Sequence, residues 1–196
     1  MFFICLLFAT TATSPVNPLL EKMRNTVFMT GSFVQTDEWA LTLEEETSSG
    51  TMYIAQPDLF LLSYSEPAGS ETGYDGSVLY TIEPDLDQVF LYPSGEPGSF
   101  LHLIEKCADS SVTETTLYSG DSVTVELAGD FGEGINRMKV GFTLSDSLPF
   151  FFSTTDYNGN MTSYEMREVT TADSYPEDTF QLVVPDGYAV VNPEDI

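Results

Sequence analysis

Ser32-Phe33-Val34-Gln35-Thr36-Asp37-Glu38-Trp39-Ala40-Leu41-Thr42-Leu43-Glu44 is the stretch on which the reading of the fold turns. Phe33, Gln35, Asp37, Trp39, Leu41 and Leu43 fall on one side of an extended chain; Val34, Thr36, Glu38, Ala40, Thr42 and Glu44 fall on the other, mostly polar side. A period of two is the geometry of a strand with one face toward a core. Glu44-Glu45-Glu46 then reads as a solvated turn at the strand end.

Downstream the same signal recurs in short runs bounded by Gly, Pro and Asp. Gly50 to Ala55, Leu59 to Ser65, Ser77 to Ile82 after the Asp75-Gly76 turn, and Gln88 to Tyr92 make an antiparallel meander. After the break Pro93-Ser94-Gly95-Glu96-Pro97-Gly98, the segment Ser99 to Lys106 reads as a short helix capped by Ser99. Strands resume at Thr115 to Tyr118, Val123 to Leu127, Arg137 to Leu144 and Pro149 to Thr154. Asn158-Gly159 then turns the chain into Met161 to Thr170, and Phe180 to Val184 is a final strand. In Phe150-Phe151-Phe152, neighbours point to opposite faces, so one aromatic is available as a docking surface or is covered by a loop.

Upstream the period is helical. Asn17 caps a helix with Pro18 in its first turn, and Leu19, Leu20, Met23 and Val27 recur along one stripe until Gly31 stops it. Many sequential strands with a helix at the start and another inserted midway give a mainly β chain. It is a single strongly curved antiparallel sheet, or half-open barrel, with the helices against its concave side; a closed up-and-down barrel satisfies the same pattern.

Met1 to Ala9 is nearly continuous apolar sequence followed by Ala9-Thr10-Thr11-Ala12-Thr13, small residues suited to cleavage. Residues 1–13 are therefore expected to be an export signal, lacking a basic start, and residues 14–196 a single domain. The chain carries 31 acidic against 6 basic residues, a net charge of −25. Nothing in it can replace the counterions of a nucleic acid, and an anionic membrane surface repels it. With 42% hydrophobic and 13% aromatic residues the chain has the means to fold. The acidity suits solubility in a salty environment, or steering toward basic partners.

The tools of common enzymes are missing. A single histidine, His102, leaves no partner for a two-histidine metal site, and no Gly-x-Ser-x-Gly elbow, phosphate loop or dinucleotide fingerprint is present. Cys107 stands alone once Cys5 leaves with the signal. Asp156-Tyr157-Asn158-Gly159-Asn160 has Arg167 at its twelfth position, where a calcium loop needs a bidentate Glu, and reads as a hairpin turn. No catalytic residue, metal or cofactor is expected.

The run Gly31-Ser32-Phe33-Val34-Gln35-Thr36, then Gly50-x-Met52-Tyr53-Ile54-Ala55-Gln56-Pro57-Asp58-Leu59-Phe60, Tyr64-x-x-Pro67, Asp75-Gly76-x-x-Leu79-Tyr80-x-x-x-Pro84 and Gln88 resembles the periplasmic outer-membrane lipoprotein carrier family, LolA. Asp156-x-x-Gly159-Asn160 and Phe180-x-x-x-x-Pro185-x-Gly187 extend the resemblance over most of the chain. It implies a monomeric, non-enzymatic periplasmic carrier whose half-open barrel, with helices as a lid, shields lipoprotein acyl chains. Its partners would be those lipoproteins, an inner-membrane lipoprotein-releasing ABC transporter and an outer-membrane receptor. The cavity lining expected on that footing is Met23 and Val27 on the first helix; Phe33, Trp39 and Leu41; Met52, Ile54, Phe60, Leu62, Tyr80 and Ile82; and Leu101 and Ile104 on the inserted helix. Gln56 stands where the family usually has an Arg that holds the closed lid; Gln keeps a donor and loses the charge and the fork. That departure leaves open a relative carrying another hydrophobic ligand, such as a glycolipid, or an envelope lipid-sensing module of the same fold.

Overall fold

The computed structural model describes residues 16–92, 105, 113–132 and 134–192. Helix α1 (Asn17–Arg24) is followed by β1 (Phe28–Trp39), β2 (Glu44–Ala55), β3 (Leu59–Glu66), β4 (Ala68–Tyr74), β5 (Leu79–Glu83) and β6 (Gln88–Tyr92). Then come β7 (Thr113–Ser119), β8 (Ser122–Ala128), β9 (Ile135–Thr143), β10 (Pro149–Asp156), β11 (Met161–Ala172) and β12 (Ala189–Val191). All twelve strands form one sheet in the order β12-β6-β5-β4-β3-β2-β1-β11-β10-β9-β8-β7. Every pair is antiparallel except β12 with β6. Because, among the described residues, β12 and β7 each pair on one side only, the sheet is open, which decides for the half-open form over the closed barrel.

Both faces of the sheet are apolar. On one face Val16, Leu19, Leu20 and Met23 of the helical segment pack with Met29, Phe33, Met52, Val125, Met138, Val140, Phe142, Phe152 and Met166. On the other, Phe28, Ala55, Leu61, Tyr80, Ile82 and Val89 are covered by Tyr175, Phe180, Leu182 and Tyr188 from the C-terminal segment. Phe28 stacks on Tyr175 at 5.3 Å, and Phe180 meets Tyr175 edge-on at 5.2 Å.

The first helix is shorter than its stripe predicts. Asn17 is its first residue and Val16 the cap position, with no side-chain capping bond. It ends when Asn25 Nδ2 donates to Glu21 O and Thr26 Oγ1 to Lys22 O, side chains competing for the last carbonyls. Val27 is therefore off the helix. Gly31 lies inside β1, where a Cβ would come within 2.9 Å of Arg167 O across the β1–β11 bulge; it serves a close approach of strands, not a helix stop.

The β1 expectation also runs too far. The strand ends at Trp39, and Leu43 N donates to Trp39 O to close the turn that carries Leu41. Glu44, Glu45 and Glu46 are exposed as expected but belong to β2, paired with Trp39, Glu38 and Asp37. Strand β4 has no counterpart among the sequence expectations. Phe180 to Val184 is not a strand; Phe180 is a plug in the second cluster, and β12 lies beyond it. None of Phe150, Phe151 and Phe152 is exposed, so that run offers no docking surface. Residues 1–15, His102, Cys107 and the expected inserted helix, save Glu105, lie outside the described residues.

Candidate functional site

A cavity of about 290 Å³ opens on the face that carries α1, close to the lower end of the roughly 300–1,000 Å³ usual for small-molecule sites. Its wall is built by alternate residues of adjacent strands. Phe33 comes from β1, Met52 and Ile54 from β2, Phe60 and Leu62 from β3, Ile135 from the start of β9, Phe152 and Thr154 from β10, and Thr162, Tyr164 and Met166 from β11. Register explains the convergence. Met52 pairs with Leu62, Ile54 with Phe60 and Phe33 with Met166, so side chains of one parity meet on one face.

The end of α1 adjoins this cavity. Met23, Thr26, Met29, Ile54, Ala55 and Gln56 surround a smaller recess, and Ile54 borders both spaces. Gln56 Nε2 donates to Met23 O at 2.7 Å, so the residue that follows β2 holds the last turn of α1 through its side chain, while Gln56 N donates to Val27 O, beyond the helix, at 3.3 Å. Arg24 makes a second tie, with Nε and Nη2 both donating to Glu105 Oε1 at 3.1 and 2.9 Å.

At the other end the wall becomes polar. Tyr64 sits edge-on to Phe33 at 5.3 Å and donates to Gln35 Oε1 at 2.7 Å; Gln35 Nε2 donates to Asp37 Oδ2 at 2.6 Å, and Thr162 Oγ1 to Asp37 Oδ1 at 2.6 Å. Burial, with the charges of Asp37 and Glu83 adding to it, pushes the Tyr64 phenol up to about 12 against the opposing bond with Thr72. Burial, then Tyr64 and Asp37, also raise Tyr164. Both phenols therefore stay protonated near neutral pH and can only donate or accept hydrogen bonds. Among the described residues no cluster of His, Cys, Asp or Glu could hold a metal, and no helix is long and apolar enough to cross a membrane.

Of the residues expected from sequence to line a cavity, the structure brings together Phe33, Met52, Ile54, Phe60 and Leu62, with Met23 at the adjoining recess. Tyr80 and Ile82 are buried on the opposite face. The reason is a sheet apolar on both sides: alternation divides a strand into two sets without saying which faces the cavity. Val27 and Trp39 are 44% and 39% exposed, and Leu41 at 95% is almost wholly in solvent. Leu101 and Ile104 lie outside the described residues. Sequence reasoning missed Ile135, Phe152, Thr154, Thr162, Tyr164 and Met166; the spacing Thr162-x-Tyr164-x-Met166 was the available signal.

The sequence matches the family described as Outer membrane lipoprotein carrier protein LolA over residues 24–183. An outer-membrane lipoprotein carrier protein of Halorhodospira halophila is 27% identical over 158 residues, 74% of this chain and 70% of the relative. The protein of that name from Francisella tularensis subsp. novicida is 24% identical over 177 residues, 89% of this chain and 86% of the relative. An uncharacterised conserved protein of Thermus thermophilus, known as a crystal structure, shares the fold with a TM-score of 0.58 at 14% identity, over 89% of this chain and 96% of that one.

Proposed function

Because this chain belongs to the outer membrane lipoprotein carrier protein LolA family, we propose that it is a non-catalytic periplasmic carrier. It takes the acyl chains of lipoproteins released from the inner membrane by an ABC transporter and hands them to an outer-membrane receptor. The observation that carries this reading is the apolar cavity between β1, β2, β3, β10 and β11, beside a helix tied down by few polar bonds.

The physics asks for such an object. Each methylene moved out of water is worth about 0.8 kcal/mol, so a lipid chain does not cross an aqueous compartment unshielded. A wall of Phe33, Met52, Ile54, Phe60, Leu62 and Met166 accepts that chain without directional bonds, and methionine adapts to irregular shapes. Release requires that affinity stay intermediate. A two-state lid provides this, since the work of displacing α1 is subtracted from the gain of burying the chain.

The test is to incubate the purified mature chain with spheroplasts carrying a newly made lipoprotein and to assay the soluble fraction for a one-to-one complex. ATP-dependent release is the expected result. No release, with a bound lipid found by native mass spectrometry, would redirect the reading to another hydrophobic ligand such as a glycolipid. Gln56 in place of the family's usual Arg is the feature that favours this second reading.

A further inference from the structure

The polar end of the cavity is built from groups of one character. Thr154, Thr162 and Tyr164 line it, and Asp37 stands behind Thr162, held by Thr162 Oγ1 and Gln35 Nε2 at 2.6 Å each. The Tyr64 hydroxyl is committed to Gln35. The Tyr164 ring is fixed between Phe33, at 6.1 Å, and Phe152, at 6.5 Å, and among the described residues no hydrogen bond uses its hydroxyl. Among the described lining residues there is no Lys, Arg or His. The charges that act on this end are negative: Asp37 and Glu83 on Tyr64, and Asp37 on Tyr164.

We propose that this end is a head-group subsite that accepts the neutral ester or amide junction of an acylated molecule and turns away the free carboxylate of a fatty acid. The Tyr164 hydroxyl donates to the carbonyl oxygen where the acyl chain meets its head group, and the alkyl chain runs back over Met52, Ile54 and Phe60. A fatty-acid carboxylate in the same place is another carboxylate beside Asp37, and no Lys, Arg or His among the described lining residues is there to pair with it. Thr162 and Gln35 direct their donors to Asp37, so they hold that carboxylate in place rather than serving the ligand. The apolar wall sets how much chain is buried, and this end sets which chemical class of chain is kept. The proposal rests on the carrier reading and sharpens its cargo to ester- or amide-linked acyl chains.

The test displaces the neutral dye N-phenyl-1-naphthylamine from the folded mature protein with monodecanoylglycerol, decanoate or decane, at a pH where decanoate is ionised. Wild type is expected to bind monodecanoylglycerol about tenfold more tightly than decanoate, the discrimination of one buried hydrogen bond against one uncompensated charge. Tyr164→Phe should lose about five- to tenfold for the ester with decane unchanged, and Asp37→Asn should gain affinity for decanoate alone. Should Asp37→Asn fail to fold, the wild-type ratio and Tyr164→Phe still decide. Equal affinity of wild type for ester and acid, or a Tyr164→Phe loss shared by decane, overturns the subsite and leaves the carrier reading standing. If none of the three displaces the dye, the carrier reading falls and takes the subsite with it.

Discussion

Replacing Gln56 by Met keeps the length of the side chain and removes its donor, and so isolates the side-chain hydrogen bond that, among the described residues, ties the end of β2 to α1. In the wild type Met23 O accepts from Gln56 Nε2 at 2.7 Å and also from Thr26 N at 3.2 Å. The carbonyl therefore keeps a partner after the substitution, and the loss is that of a net hydrogen bond, about 1 kcal/mol, without the larger penalty of an orphaned buried group. Leu19, Leu20 and Met23 remain buried, and the exposed Arg24–Glu105 pair contributes little, so the helix stays docked. Its opening equilibrium shifts by roughly fivefold. Hydrogen exchange of the α1 amides should accelerate by about that factor, while amides of β2 around Met52 keep their protection. Gln56→Arg should act in the opposite sense, because a charged donor with a fork of N–H groups holds a helix C-terminus better than a neutral amide. Exchange in α1 within a factor of about two of wild type for both variants would refute the view that residue 56 latches the helix.

Gly50→Ala should be among the most damaging small substitutions, because its Cβ would lie 2.2 Å from Ser63 O and 2.9 Å from Tyr64 Cα, both backbone atoms of the adjacent strand; a loss at the upper end of about 1–3 kcal/mol is expected in urea unfolding. Glu71 is raised above its ordinary value by burial, against a bond with Ser63. The folded state then favours the protonated form, so the stability it contributes is present at low pH and is lost as pH rises through the folded value. Glu71→Gln should accordingly raise the urea midpoint near pH 7, with the gain fading as pH falls to the ordinary carboxylate range. The net charge of −25, with Glu38 opposite Glu45 and Asp37 opposite Glu46 in the β1–β2 ladder, predicts a melting temperature that climbs as NaCl goes from about 0.01 to about 1 M, shortening the screening length from about 30 to about 3 Å. A flat or falling curve would show that these charges are compensated within the fold.

What the sequence makes legible is where local chemistry acts alone. The Asp75-Gly76 turn is real because Asp75 Oδ1 accepts from Ser77 N and Val78 N, and the turn at Asn158-Gly159 because Asp156 Oδ1 accepts from Asn158 N and Asn160 N. These bonds need nothing from the rest of the molecule. Strand β4 is the contrary case. Ala68-Gly69-Ser70-Glu71-Thr72-Gly73 has no apolar alternation, and it is a strand because β3 and β5 pair with it on both sides. Gly73 is required there by the Tyr80 hydroxyl, 2.7 Å from where a Cβ would stand, a demand visible only after folding. The cavity is half legible for a related reason. Alternation selects the correct parity on β2 and β3 and the wrong one on β5, and the β10–β11 wall escapes notice because its Thr and Tyr residues look like an ordinary solvated strand face.

That a sheet should be apolar on both sides follows from what a carrier has to do. A cavity is surface that contributes no packing to the empty protein, since atoms lining a void lack partners on one side. Here the face that carries the void is held by α1 and by Val125, Met138, Val140 and Phe142, which pack in one cluster with the lining residues Phe33, Met52, Phe152 and Met166. The opposite face is sealed by a different set, Phe28, Leu61, Tyr80, Ile82 and Val89 beneath Tyr175 and Phe180. β1, β2 and β3 belong to both, giving Phe33, Met52 and Phe60 to the cavity and Phe28, Ala55 and Leu61 to the sealed face. The second cluster thus supports these strands from the face opposite the cavity. On the carrier reading proposed above, loading and emptying the cavity would act on α1 and on the polar end at Asp37 and Tyr164 rather than on the sheet.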